Sequence, residues 1–318
     1  MCELMFESMC APALFVSKDA VLECYACGRT SGLVIDIGAS STVITPVADG
    51  FVELKGLNRS AVGGRYMDAY ALHAIRKHCA TIQSPTALLP NFRITKSVGP
   101  DKSLFVKKHS LQNVHSTYDA FMLLEMGRDM KETVSRVADA AFIDTDPKYA
   151  NLPLIPYELP DGTVIDIGVE RFQIPELLFD PSGLDLYNQE IAALGTCPGQ
   201  LGSLPASTDV ISRLVNDSIL RCDNELYATM MSNLVVAGGG SAFEGMPERI
   251  KLDVEKIVHG TGSTAQRIKI VSLGTNERAL TAWLGGSILA SLGSFHEMWV
   301  SRQEYEEFGA GIVDKKCP

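Results

Sequence analysis

Two apolar, strand-like runs end on small residues, and this pairing constrains the fold more than anything else in the 318-residue sequence. Gly32-Leu33-Val34-Ile35-Asp36-Ile37-Gly38 runs into Ala39-Ser40-Ser41, and Asn233-Leu234-Val235-Val236-Ala237 runs into Gly238-Gly239-Gly240-Ser241. The second run reads as a buried strand. Runs of this kind alternate with helix-like ones along the chain, which predicts an α/β architecture.

The order of the remaining segments fits that class. Thr42-Val43-Ile44-Thr45 and Phe51-Val52-Glu53-Leu54, separated by Asp49-Gly50, complete a three-stranded meander with the first run. Residues 65–78 read as a helix facing inward through Met67, Ala71, Ala74 and Ile75. Residues 121–138 form another, through Phe121, Leu124, Val134 and Val137. Leu159-Pro160-Asp161-Gly162 is a hairpin turn. Thr208 or Asp209 caps a helix through Leu220, with Ile211, Leu214, Val215 and Ile219 inward. Arg267–Val271 reads as a strand and 282–295 as a helix with small residues on one side. Residues 84–115, with prolines and scattered charges, give a poor signal, and their basic cluster Lys107-Lys108-His109 reads as a solvated loop rather than a nucleic-acid site. Residues 183–208 read as an inserted surface loop, and 301–318 as a polar tail.

Composition removes several function classes. Lys and Arg number 28 against 38 Asp and Glu, a net charge of −10, so the chain lacks the clustered cations that direct nucleic-acid binding needs. Hydrophobic residues at 46% and charged residues at 21% exclude wholesale disorder. Apolar runs fall short of the ~18 residues that span a bilayer. The first residues carry acid where an export signal carries base, and eight scattered cysteines suit free thiols in a reducing compartment. The expectation is an acidic intracellular protein.

Glycine and serine between strands let backbone N–H groups approach a phosphate closely. Gly38-Ala39-Ser40-Ser41 fits, with Asp36 able to hold a metal through water, and Gly238-Gly239-Gly240-Ser241 fits again. Alone, each glycine turn is more often just a turn. The pentapeptide Val34–Gly38 recurs as Val164–Gly168, but Val169-Glu170-Arg171-Phe172 follows the second copy, so only the first offers open backbone to an anion. P-loop, Rossmann, nucleophile-elbow and zinc-protease motifs are absent. Cys24-Tyr25-Ala26-Cys27 has no second metal half-site, which favours helix-borne structural cysteines. The residues alone therefore describe a nucleotide-binding α/β protein.

Longer motifs say more. Leu159-Pro160-Asp161-Gly162, Ile167-Gly168, Glu170-Arg171-Phe172 and Pro175-Glu176 resemble the LPDG…IG.ERF..PE segment of the actin superfamily. Residues 283–292 resemble its WIGGSILASL helix and 298–305 its MWISKQEY ending. Leu4-Met5-Phe6-Glu7, Asp36-Ile37-Gly38-Ala39, Gly293-Ser294-Phe295, Glu304-Tyr305-Glu306-Glu307 and Lys316-Cys317-Pro318 are similar to the nuclear actin-related protein 4 branch. The resemblance implies a duplicated, ribonuclease-H-like actin fold. Residues 1–27 would be a remnant of the small domain, 28–279 the large domain, and 280–318 helices returning to the small domain. The first phosphate loop and most of the small domain would lie outside this pattern. That implies weak nucleotide affinity, an exposed apolar face on 282–295 and 1–27, and either a longer native chain or a partner that fills the gap.

Carried over by position, the resemblance implies an ATP and magnesium site. Asp36 and Gly38 match the second phosphate loop, Asp36 on the metal side, and Gly64 matches a glycine near the ribose. Arg128, Lys131 and Glu132 match the helix beside adenine and ribose, and Gly238, Gly239 and Phe243 the third loop. Arg128 and Glu132 stand one helical turn apart, able to face one cleft; without the resemblance they read as a surface ion pair. Three family groups that position water or metal are replaced by Asp19, Ala39 and Val43, and an adenine-side lysine by Ala279. Phosphoryl transfer to water depends on such groups, so hydrolysis is expected absent or very weak, with no catalytic residues and ATP a structural ligand.

The resemblance further implies a groove between the lower subdomains, at Tyr25, Gly28, Thr30, Phe51, Leu289, Leu292, Ser294 and Met298, taking a long helix of a remodeller ATPase of the helicase-SANT-associated type. The bland alternative is that Leu289, Leu292 and Met298 are core. The expected role is a non-filamentous subunit of chromatin-remodelling and histone acetyltransferase complexes in transcription regulation and DNA repair. It would be nuclear, with cytoplasm the second choice; actin and other complex subunits would be partners and nucleic acid would be reached only indirectly. The competing expectation is an ATP-hydrolysing, filament-forming actin, disfavoured by Asp19, Ala39 and Val43.

Overall fold

Strand pairing follows the apolar runs. The computed structural model describes residues 1–82, 88–98, 104–111, 113–143, 146–150, 152–181, 210–260 and 267–317. Its first elements are β1 (Ala13–Leu14), α1 (Asp19–Ala26), β2 (Gly32–Ile37), β3 (Thr42–Ala48), β4 (Phe51–Val52), β5 (Asn58–Ser60) and α2 (Gly64–Ile82). Next come β6 (Ile94–Val98), β7 (Leu104–Lys108), α3 (Ser116–Val134), α4 (Pro147–Ala150), β8 (Ile155–Glu158), β9 (Val164–Ile167) and α5 (Glu170–Glu176). From residue 210 onward stand α6 (Ile211–Leu220), α7 (Tyr227–Ser232), β10 (Leu234–Ala237), α8 (Met246–Gly260) and β11 (Ile270–Ser272). The chain closes with α9 (Thr281–Ala290), α10 (Phe295–Met298), β12 (Val300–Ser301), α11 (Arg302–Phe308) and α12 (Ile312–Lys316).

The central sheet has six strands in the order β11-β10-β2-β3-β4, with β5 also paired to β3. β10 runs parallel to both β11 and β2, whereas β2, β3, β4 and β5 form antiparallel pairs. Successive side chains of a strand point to opposite faces. Leu33, Ile35 and Ile37 accordingly enter a large core with residues of α2, α3, α6 and α8. Val34 enters a smaller one with Ala20, Val21 and Cys24 of α1. β10 divides the same way, Leu234 and Val236 on one face and Val235 on the other. Each fully buried aliphatic side chain stabilises the fold by roughly 1.5–3 kcal/mol, so covering both faces is what makes β2 and β10 the centre. Asp36, two residues from Val34, faces α1 by the same alternation.

Helix contacts depend on small residues, as the composition of 282–295 anticipates. α1 and α9 cross where Gly285 lies directly against the backbone of Leu22. The inward face of α2 is as expected, with Met67, Ala71, Ala74 and Ile75 buried. In α3, Leu124 and Val134 are buried, whereas Phe121 is exposed. Across the core, buried Arg249 of α8 ties α5 to residues 138–140. It binds Glu176 at 2.6 Å, Asp253 at 2.7 Å and the carbonyls of Ala138 and Ala140.

Several boundaries differ from the sequence reading. Residues 94–98 and 104–108 pair as antiparallel strands within the segment whose signal is poor; their mixed polar and apolar alternation is too short to stand out. Lys107 and Lys108 end β7, and the His109 ring meets Thr95 Oγ1 at 2.7 Å. β11 begins three residues later than expected, at Ile270. The 282–295 helix stops at Ala290, just before Gly293, and resumes as α10. The tail contains two helices; Ser301 and Glu304 form a capping box at the first. Thr208, Asp209 and 183–208 lie outside the described residues, and α6 starts without a side-chain cap at Val210.

Candidate functional site

A cleft forms where the parallel register of β2 and β10 carries two turns to one end of the sheet. Asp36 stands opposite Ala237, so the Gly38–Ser41 turn and the Gly239–Ser241 turn leave side by side. Gly38 N donates to Ser41 O at 3.0 Å, closing the first turn, and Ser41 leads into β3. Gly238 has φ +85°, and a Cβ there would overlap the Asp36 carboxylate and the Ile37 carbonyl. Glycine is therefore required for the two loops to touch. The N-terminus of α2 docks on the first turn through Gly64 N to Gly38 O at 2.9 Å and Arg65 N to Ala39 O at 2.7 Å.

These elements, α3 and the loop before α9 enclose about 620 Å³. Gly64, Arg128, Lys131, Glu132 and Gly239 line it, as do Ala39 and Ala279. Asp36, Gly38 and Gly238 form the backing of the loops rather than the lining, and Phe243 is buried in the large core. The charges of the cleft are largely matched within the chain. Lys131 Nζ lies 2.6 Å from Asp68 Oδ1, both side chains buried; burial pushes the Asp68 carboxyl up and Lys131 pulls it back. Arg128 Nε donates to Glu132 Oε1 at 2.9 Å, one turn along α3.

Behind the first loop lie carboxyls on the α1 face of the sheet. Burial, then the neighbouring Asp19, pushes Asp36 up to about 6. Glu23, 4% exposed, is pushed up to about 8 by burial, then by Asp36 and Asp19. Val43 stands opposite Asp36 across the β2–β3 ladder and presents only methyl groups. Asp19 opens α1 and accepts from Ala20 N at 2.8 Å. No group of three metal-ligating side chains occurs among the described residues. Cys24 and Cys27, raised to about 12 and about 11 by burial, are inert thiols.

Sequence reasoning missed Glu23, Asp68, Thr275 and Asn276. Glu23 had a signal, a carboxylate four residues after Asp19 amid apolar helix positions. Asp68 and Lys131 are 63 positions apart, and no local pattern joins them.

A second concavity, of about 390 Å³, opens between α1 and the end of α9. α1 terminates at Gly28 with φ +65°, where Arg29 N reaches Cys24 O at 2.9 Å and Gly28 N reaches Tyr25 O at 2.9 Å. This left-handed helix cap turns Arg29 and Thr30 onto the rim. Tyr25, Gly28, Thr30, Leu289, Leu292 and Met298 line this concavity together with Arg29 and Ile288. Phe51, exposed on β4, and Ser294 do not line it. Leu289 is buried while Leu292 is 51% exposed, so the groove is partly core and partly open wall. Trp283 and Leu280 on the same helix segment are also exposed.

The sequence profile described as "Actin" matches residues 1–318. The chain is 37% identical over 319 residues to actin-related protein 4 of Oryza sativa subsp. indica, covering 99% of this chain and 67% of the relative. Its likeness to actin-related protein 4 of Arabidopsis thaliana is 34% over 320 residues, with the same coverages. The "SWI/SNF and RSC complexes subunit arp42" of Schizosaccharomyces pombe is 32% identical over 332 residues, covering 99% of this chain and 73% of that protein.

Proposed function

We propose that this chain, which belongs to the actin family, is a non-filamentous nuclear subunit of chromatin-remodelling and histone acetyltransferase assemblies. Its task is to hold a long amphipathic helix of a remodeller ATPase in the groove between α1 and α9, with actin and other complex subunits as further partners. The observation that carries this is the groove itself. A wall of Tyr25, Leu289, Leu292 and Met298 is held open beside exposed Ile288, the surface that an apolar helix face fills. Relatives named as remodeller subunits or actin-related protein 4 support the setting. No helix among the described residues is long and apolar enough to cross a membrane.

The cleft is read as a place for ATP and magnesium held as a structural ligand. Gly238 carries no side chain to hold the two loops apart, so their backbones lie side by side at the cleft, where Ala39 and Gly239 on its lining can face phosphate oxygens. On this reading Asp36, just behind the first loop, is the carboxylate assigned to the metal, and Gly64, Arg128 and Glu132, which line the cleft, are assigned to the base and ribose end. Lys131, already neutralised by Asp68, shapes the wall. When bound, the nucleotide would supply a polyanion for the backbone N–H groups of the two loops. Ala39 and Val43 contribute no group able to orient water, so splitting the nucleotide lacks these positioned partners.

The test is affinity capture from nuclear extract with mass spectrometry, paired with steady-state phosphate release. Recovery of remodeller ATPase and acetyltransferase subunits, with phosphate release at background, is expected. Recovery of cytoskeletal filament-binding proteins alone, or turnover at the level of muscle actin, overturns the proposal.

A further inference from the structure

We infer that Arg29 selects the occupant of the groove: the helix that docks there carries an aspartate or glutamate beside its apolar stripe, placed to meet the Arg29 guanidinium. This rests on the reading of the groove as a helix site and names the chemistry that the helix must have. Among the residues lining the groove, Arg29 alone is charged; the rest are Tyr25, Gly28, Thr30 and the aliphatic wall of α9 with Met298. Its Nε is buried and has no hydrogen-bond partner among the described residues. A buried guanidinium N–H without an acceptor is unfavourable, and the groove's other lining groups bring no carboxylate to it. The cation is held at this place by backbone, because Arg29 N is bonded to Cys24 O in the cap that ends α1.

An incoming carboxylate answers both conditions. It accepts from the planar guanidinium fork, whose paired N–H groups match the two oxygens of a carboxylate better than the single oxygen of an amide. It is also desolvated by the apolar wall beside it, where a charge-assisted hydrogen bond is strongest. The rest of the chain is acidic, with a net charge of −10, so a uniformly acidic helix would be repelled while a helix with one acid at this position would not. The required pattern is an apolar stripe at i, i+4 and i+7 with Asp or Glu one turn from the residue that fills the groove.

Fluorescence anisotropy with three labelled synthetic helical peptides tests this. All share one leucine stripe and differ at the single flanking position, which is Glu, Gln or Lys. Wild-type protein is expected to bind the Glu peptide about 10-fold more tightly than the Gln peptide, and the Lys peptide more weakly still. Arg29→Glu should invert the order of the Glu and Lys peptides with an unchanged melting temperature. Equal binding of the Glu and Gln peptides to wild-type protein overturns the assignment of Arg29 while the groove reading stands. Failure of all three peptides to bind overturns the groove reading, and this inference with it. The peptide series needs only the wild-type chain, so misfolding of a variant leaves the test intact.

Discussion

The cleft and the groove are both organised by the sheet around β2, yet they treat charge in opposite ways. In the cleft, Lys131 is matched by Asp68 and Arg128 by Glu132 before any ligand arrives. In the groove, one cation stands with an unpaired buried Nε amid apolar side chains. A surface whose charges are mostly satisfied is built to keep its shape around a ligand. A surface with an unsatisfied charge and exposed aliphatic groups is built to be completed by something else.

Substitutions that separate the two regions run from large to small effect. Lys131→Met should be the most damaging, lowering stability by about 3–5 kcal/mol because Asp68 is left buried without its partner. Adding Asp68→Leu should recover much of that loss in urea unfolding, which would mark the pair as architecture. Leu292→Asp should weaken binding of a leucine-stripe peptide about 100-fold, equivalent to about 2.7 kcal/mol, without moving the melting temperature, since Leu292 is half exposed. A matching fall in stability would mean that the groove wall is core. Glu23→Gln should act in the other direction. With its carboxyl raised from 4.5 to about 8, Glu23 favours the folded state below its ordinary range, and that contribution is lost as pH rises through about 8. The variant should therefore melt about 3–6 °C higher than wild type at pH 8 and show no gain near pH 4. Arg128→Ala, removing a half-exposed pair, should change stability by less than about 0.5 kcal/mol.

How much of this was legible in the sequence is clearest from the two identical pentapeptides. Val34–Gly38 and Val164–Gly168 both form strands, and in both the two isoleucines are buried. Val34 is fully buried, however, whereas Val164 is 53% exposed and Asp166 faces solvent. The first copy lies mid-sheet, between β3 and β10; the second forms half of a two-stranded hairpin. Local sequence determined that a strand forms, and strand neighbours determined what its aspartate meets. The glycine turns and the groove wall were readable because they sit in contiguous motifs. Asp68 beside Lys131, the acid pair of Glu23 and Asp36, and the buried Nε of Arg29 arise from packing between distant segments, which no local period encodes.

Analytical ultracentrifugation of the chain in polymerising salt, with ATP and a labelled leucine-stripe peptide bearing glutamate, tests the central claim most directly. The account predicts one small species in which protein and label sediment together, with ATP remaining uncleaved. Fast-sedimenting polymer that excludes the label, with inorganic phosphate accumulating, would contradict it.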